Sequence, residues 1–447
     1  MADLGDLCRE ALYGAADGEQ VEAYALESVR TEVRARGGEV DALTSASSRG
    51  LGVRLIVGGR MGYAWAADPS PDEAAGLLEA ARGAAGHATP DEANVLPGAA
   101  TAEDIPGLFR EALAGVEPDR KVALALDLER AAVSANADVR RVEEVMYGDA
   151  ESRVALASTA GLASEYRRTD CWCVASAIAE RDGDTQTGFS FQMSREPDDL
   201  DHEAVGREAA ERGARLLGAV KPATERLPVV LGPWAAAAFL GVLASGLSAE
   251  EVQKGRSLLA GLVGERVASK AVTLVDNGRL LEGPASAPFD DEGVPTSRTP
   301  LIDRGVLRGF LHNTVTARRD GAGTSSTGNA SRPSYRGVPG VSTTNLLVEP
   351  GPEPPEALLV SAGRAVYVQE VKGVHSGANP VSGEFSVGAA GLRVEGGTLA
   401  EPLREMTIAS TLPEVLRGVM AVGSDVRFLF GVGTPTILVG EMTVAGR

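Results

Sequence analysis

The chain is short of several residue types that usually advertise a function. Of its 447 residues only three are cysteine, too few for a disulfide framework. Aromatic residues make up 4%, so the basic face with interleaved rings that a nucleic-acid binder needs is missing. Positive charge is scarce beside negative: 43 Lys and Arg against 62 Asp and Glu give a formal charge of -19 and a pI near 4.8. Such a surface is repelled by nucleic acid and by anionic membranes. No run of 18 apolar residues occurs, which argues against a membrane-spanning helix. The opening residues carry acids and no basic stretch, unlike a signal peptide. No phosphate-cradling loop is present; Gly431-Val432-Gly433 lacks both a third glycine and a following helix start. No repeat of fixed period appears. These absences predict a cytoplasmic protein with no nucleic-acid and no membrane partner.

What is present reads as a mixed chain. Leu4, Leu7, Cys8, Ala11 and Leu12 fall at helical spacing. Alternation predicts strands at Val29, Thr31, Val33 and Ala35, and at Leu51, Val53, Leu55 and Val57, the second turning at Gly58-Gly59. Ser70-Pro71-Asp72-Glu73 is a helix start with a cap, a first-turn proline and a glutamate three residues on; that helix is expected to reach about Arg82. Residues 87–118, including His87, read as a linker, followed by a helix over 119–135 and an antiparallel block over 139–193. In that block Cys171, Cys173, Ala175, Ala177 and Ala179 share a strand face, which favours small core residues over a redox pair. A helix over 201–218, capped by Asp201 or a neighbour, closes a first domain, 1–221. The second, 222–447, opens with a strand at 227–231 and an apolar helix at 234–246. A polar helix over 248–257 follows. The rest is mainly strands: 272–276, 306–311, 343–348, 364–372, 384–394, 405–409 and 436–444. The fold class expected is α+β, two large mixed domains with extensive antiparallel and mixed sheets and flanking helices.

Two strings stand out: Gly328-Asn329-Ala330-Ser331-Arg332 running on to Asn345, and residues 377–388 around Glu384 and Phe385. Both are dense in Gly, Asn and Pro, and both are expected to be shaped loops, neither helix nor central strand. With Asp290-Asp291-Glu292-Gly293, Leu301-Ile302-Asp303-Arg304-Gly305, Phe310-Leu311-His312-Asn313 and Thr316-Ala317-Arg318, their order and spacing resemble the TldD/PmbA family. That family is known for a two-subunit metalloprotease and was once described as modulators of DNA gyrase. The resemblance runs from about Val21 to Thr436 and is looser in the first half.

In active members of the family a His-Glu-x-x-x-His helix and a downstream cysteine hold a metal. Two imidazoles and a thiolate suit zinc, and the glutamate suits a general base. The matching helix here follows Leu227–Leu231 and precedes Gln253. Its ligand positions are Leu240 and Ser245, its base position is Gly241, and no cysteine follows Cys173. The resemblance therefore implies the PmbA-like (TldE-type) subunit, which binds no cofactor and works beside a TldD-like partner carrying the zinc. His202-Glu203-Ala204-Val205-Gly206-Arg207 imitates the motif, but it precedes the strand, and its sixth residue, an arginine, cannot ligate a metal.

The function expected is that of a non-catalytic subunit in a heterodimer that processes small unfolded peptides. Asn329, Arg332, Asn345, Glu384 and Phe385 are candidates for lining or shaping its chamber, Arg332 by gripping a peptide carboxylate. Two rivals stand beside it. One is an independent peptidase using Cys171/Cys173 or His312. The other is a regulatory binding protein of toxin–antitoxin or gyrase-modulator type, for which a homodimer is possible. His375 is a further candidate base, and Asp290-Asp291-Glu292 reads as a solvated loop before a cation site.

Overall fold

A computed structural model describes residues 3–446, and of His375 the backbone only. The expectation for the His375 side chain lies outside the described residues.

Residues 3–217 hold one six-stranded antiparallel sheet. Its strands are β1 (Gln20–Arg36), β2 (Glu39–Val57), β3 (Arg60–Ala67), β4 (Val139–Ser158), β5 (Ala163–Arg181) and β6 (Asp184–Ser194), in the order β3-β2-β1-β4-β5-β6. Helices α1 (Leu4–Leu12) and α2 (Pro71–His87) cover one end of one face. After the short α3 (Glu111–Ala114), α4 (Pro118–Ser134) and α5 (His202–Ala214) cover the other end. Each pair has its own core. Leu4, Leu7, Cys8, Leu51, Val53 and Leu55 pack under α1 and α2, while Cys171, Cys173, Ala175, Ala177 and Leu128 pack under α4 and α5. The capping box at Ser70 is formed with Glu73, as the four-residue start predicts. The helix runs past Arg82, so His87 is its last residue and no part of a linker. The alternation on β1 holds at Val33 and Ala35 but not at Val29, which is exposed. Glycine at 62 permits close contact between β3 and α2, since a Cβ there would lie 1.9 Å from the Ala81 carbonyl oxygen.

The second unit begins with β7 (Glu225–Leu231), α6 (Pro233–Gly246) and α7 (Ala249–Gln253), then β8 (Leu274–Asn277), β9 (Arg298–Asp303), β10 (Val306–Leu307) and α8 (Thr314–Asp320). It continues with β11 (Ala330–Ser331), β12 (Gly340–Val341), β13 (Leu346–Val348), α9 (Pro355–Ala362), β14 (Ala365–Lys372) and α10 (Val374–Gly377). The last elements are β15 (Glu384–Glu395), β16 (Thr398–Thr411), α11 (Leu412–Gly418), β17 (Val419–Val422), β18 (Arg427–Leu429), β19 (Val432–Thr434) and β20 (Ile437–Ala445). Two six-stranded sheets, β16-β15-β14-β7-β20-β17 and β10-β9-β8-β13-β19-β18, enclose a large apolar core. The fold is thus α+β, with mixed as well as antiparallel pairing, since β14 runs parallel to β7 and β13 to β19.

Residues 384–388 were expected both as the end of a shaped loop and as the start of a strand over 384–394; they open β15, which lies between β16 and β14, so the strand expectation holds there. Two further expectations are corrected. The strand expected over 306–311 stops at Leu307. Asp290-Asp291-Glu292 is not a solvated loop, because Asp290 and Glu292 are buried against the first unit. Local composition marks a turn but cannot say that a distant sheet covers it.

The uncovered face of the first sheet meets the second unit. Tyr24, Val154 and Leu156 from the sheet pack with Phe289 and Tyr335. Tyr335 lies flat on β2, where a Cβ on Gly50 would come 2.3 Å from its ring, and the Tyr63 hydroxyl donates to its carbonyl at 2.7 Å. The described residues contain no helix long and apolar enough to cross a membrane.

Candidate functional site

Helix α6 starts at Gly232 with proline in its first turn, and it is apolar nearly all round because it sits between the two sheets. Leu240 is buried among Leu231, Phe239, Leu243, Leu274 and Leu412. Gly241 and Ser245 face outward, and the Ser245 hydroxyl donates to the Val242 carbonyl at 3.3 Å. Phe385 stacks obliquely on Phe239 with ring centres 4.7 Å apart. Glu384 beside it is exposed, and its carbonyl accepts from the Asn379 N–H at 2.8 Å. The second of the two strings therefore folds against α6, with α10 also touching the helix.

Zinc needs three or four nitrogen, sulfur or carboxylate donors converging on one point. Around α6 the residues at the matching positions offer a hydrocarbon side chain, a hydrogen and a hydroxyl. Among the described residues no group of three or more His, Cys, Asp and Glu side chains is arranged to hold an ion. The donor set does not fit the metal. His202 and Glu203 occupy the first turn of α5, where Asp201 caps by accepting from the Ala204 N–H at 2.9 Å. The three thiols are buried in the first unit, and burial pushes Cys8 and Cys173 up to about 12. His312 is buried, with its pKa lowered by desolvation, and its Nε2 lies 3.7 Å from Asp320. The hydroxyls of Ser326 and Thr327 donate to its carbonyl, not to its ring.

The first string lies elsewhere, at the junction of the two units, and there the charges are dense. Arg54 of β2 bridges Glu22 of β1 at 2.7 Å and Glu292 at 2.9 Å. Arg332 pairs with the other oxygen of Glu22, and its Nε donates to the Asp291 carbonyl at 3.1 Å. Its Nη1 donates to the Gly337 carbonyl at 3.1 Å, and its guanidinium lies over the Tyr24 ring at 4.9 Å. The result is an alternating buried row, Glu292, Arg54, Glu22, Arg332, that fastens one unit to the other. Burial alone would raise the Glu22 pKa; Arg54 and Arg332 together more than reverse this and hold it below the usual carboxylate range. Glu292 is also met by the Thr314 N–H at 2.9 Å, at the start of α8.

Asp290 closes its own loop, accepting from the N–H groups of Glu292, Val294 and Ala330, each at 2.9 Å. Burial, and next the charge of Glu292, push its carboxyl up. Asn329 donates to Asp276 at 2.6 Å and to the Ser342 carbonyl at 3.1 Å. Asn345 accepts from the Ala285 N–H at 2.8 Å and donates to the Asn277 carbonyl at 2.7 Å. The structure thus places Arg332 at the junction, Asn329 and Asn345 in the buried hydrogen-bond network of the second unit's own loops, and Glu384 and Phe385 beside α6. Glu22, Arg54 and Tyr335 were missed by the sequence reading. Glu22 and Arg54 look like solvent-facing members of half-buried strands, and nothing local marks that a second unit covers them.

Three family models match in chain order. They are described as PmbA/TldA metallopeptidase domain 1 (residues 21–88), central domain (111–217) and C-terminal domain (224–446). The protein named Metalloprotease PmbA from Escherichia coli O157:H7 is 29% identical over 440 residues, covering 98% of this chain and 94% of that one. A solved structure of a proposed modulator of a DNA gyrase from Thermotoga maritima superposes with a TM-score of 0.90 at 30% identity, covering 98% of each chain. That of TldE from Thermococcus kodakarensis has a TM-score of 0.91 at 24% identity and full coverage of both chains, a likeness of fold.

Proposed function

Since the chain belongs to the PmbA/TldD metallopeptidase family, we propose that it is the non-catalytic subunit of a heterodimeric peptidase, paired with a TldD-like subunit that carries the zinc. The observation that supports this most is the chemistry of α6. Leu240, Gly241 and Ser245 stand where the family's two ligands and base are expected, and Leu240 is part of the core. A buried leucine contributes packing at that place and can hold neither a metal nor a proton. The subunit's contribution is then geometric. A second wall completes the cleft, orders the partner's site and keeps folded proteins out, which raises rate by preorganisation without a reacting group. Glu384 and Phe385, beside α6, are proposed to shape that wall, and Asn329, Arg332 and Asn345 to fix the loops that carry it. The reading is tested by native mass spectrometry with metal analysis. The pure chain is expected to carry substoichiometric zinc, and its mixture with a His-Glu-x-x-x-His homologue to form a one-to-one complex. Stoichiometric zinc in the chain alone overturns it.

A further inference from the structure

Between the first sheet and the loops of the second unit lies a cavity of about 360 Å³, within the size range of small-molecule sites. Side chains of Tyr24, Tyr166 and Arg168 form one wall, all on one face of β1 and β5. Phe289, Asp291 and Thr343 form the other. Tyr166 and Phe289 meet edge to face, with ring centres 5.1 Å apart. The Arg168 Nε donates to Asp170 at 2.8 Å, and its two terminal nitrogens have no partner among the described residues. Asp291 accepts only one backbone N–H, from Arg332 at 2.6 Å, and lies beside the Tyr24 hydroxyl. Burial raises its pKa, and the nearby charge of Arg332 offsets this only in part.

A guanidinium with two terminal nitrogens left over from its pair with Asp170, and a carboxylate that accepts one backbone N–H, line one aromatic-walled cavity; together they match a ligand that carries both charges. We propose that the cavity binds the zwitterion of a short peptide, its carboxylate on Arg168, its ammonium on Asp291 and its side chain against Tyr166 and Phe289. This rests on the peptidase-subunit reading for its biological sense, since short peptides are what such a pair would release. The binding itself is a property of this chain.

The test is isothermal titration of the pure chain with L-alanyl-L-phenylalanine. Saturable one-to-one binding is expected. Loss of a charge-assisted contact should weaken binding at least about ten-fold, so the C-terminal amide and the N-acetyl form should each do so. Arg168→Gln should do the same with the fold kept, as circular dichroism reads and as Asp170's second pair with Arg195 allows, with Arg168→Lys recovering part. Ser152→Phe, which fills the cavity from its other strand, should abolish binding. No saturable heat up to about 10 mM dipeptide, or equal affinity in Arg168→Gln, overturns the proposal. Failure here with an active mixed pair leaves the subunit reading standing; binding here with an inert mixture removes that reading alone.

Discussion

Replacing Glu22 with Gln leaves the shape of the junction intact and removes one charge from the row Glu292, Arg54, Glu22, Arg332. Arg54 keeps Glu292, but Arg332 loses the one carboxylate it pairs with directly among the described residues while remaining buried. Breaking a buried pair by removing one member costs about 3–5 kcal/mol, because the survivor is left uncompensated. For a chain of 447 residues unfolding as one unit at ~2 cal/mol/K per residue, that is a drop in Tm of about 3–5 °C. Calorimetry and urea unfolding measure it. If the row fastens the units, the variant should also split a single transition into two. The double variant Glu22→Gln with Arg332→Met, which restores charge balance, should recover at least about 1 kcal/mol of the loss. Acid dependence gives an independent check. The folded Glu22 pKa lies below its unfolded value, so its stabilisation is fully present above about pH 4.3 and is lost as pH falls through the folded value. The raised carboxyls of Asp276, Asp290 and Asp291 act in the opposite sense, gaining stability as pH falls. The difference between wild type and Glu22→Gln isolates the first effect, and it should shrink below pH 4. A change under about 0.5 kcal/mol at neutral pH, the size of an ordinary surface substitution, would refute the reasoning.

Gly62→Ala should destabilise by about 1–3 kcal/mol, as overpacking does, because the added methyl meets the backbone of α2; chemical denaturation measures it. Cys8, Cys171 and Cys173 are buried thiols held protonated by desolvation. They should resist a thiol reagent at pH 8 in the native protein and react fully once it is unfolded. Rapid native labelling of Cys171 or Cys173 would revive the reading of that pair as reactive groups.

Helices and hairpins were legible where the signal is local. The cap at Ser70, the turn at Gly58-Gly59 and the apolar run of α6 all rest on neighbours within a few residues. The resemblance carried the family, because that is a statement about the order of motifs along the chain. What the sequence hid is long-range. Arg54 and Glu22 read as exposed strand residues until a segment more than two hundred residues away covers them. Glu384 to Val387 share the composition of the loop before them, yet they extend β15 by pairing with β16, and pairing with β14 begins only at Gly388. The cavity at Arg168 has no sequence signature, for its walls come from six separate stretches of chain.

The central claim concerns catalysis by a pair. The most direct measurement is cleavage of a labelled unstructured peptide by this chain, by its His-Glu-x-x-x-His homologue, and by the two mixed. The account predicts cleavage that appears or rises sharply only in the mixture and vanishes with a chelator. Metal-dependent cleavage by this chain alone would contradict it.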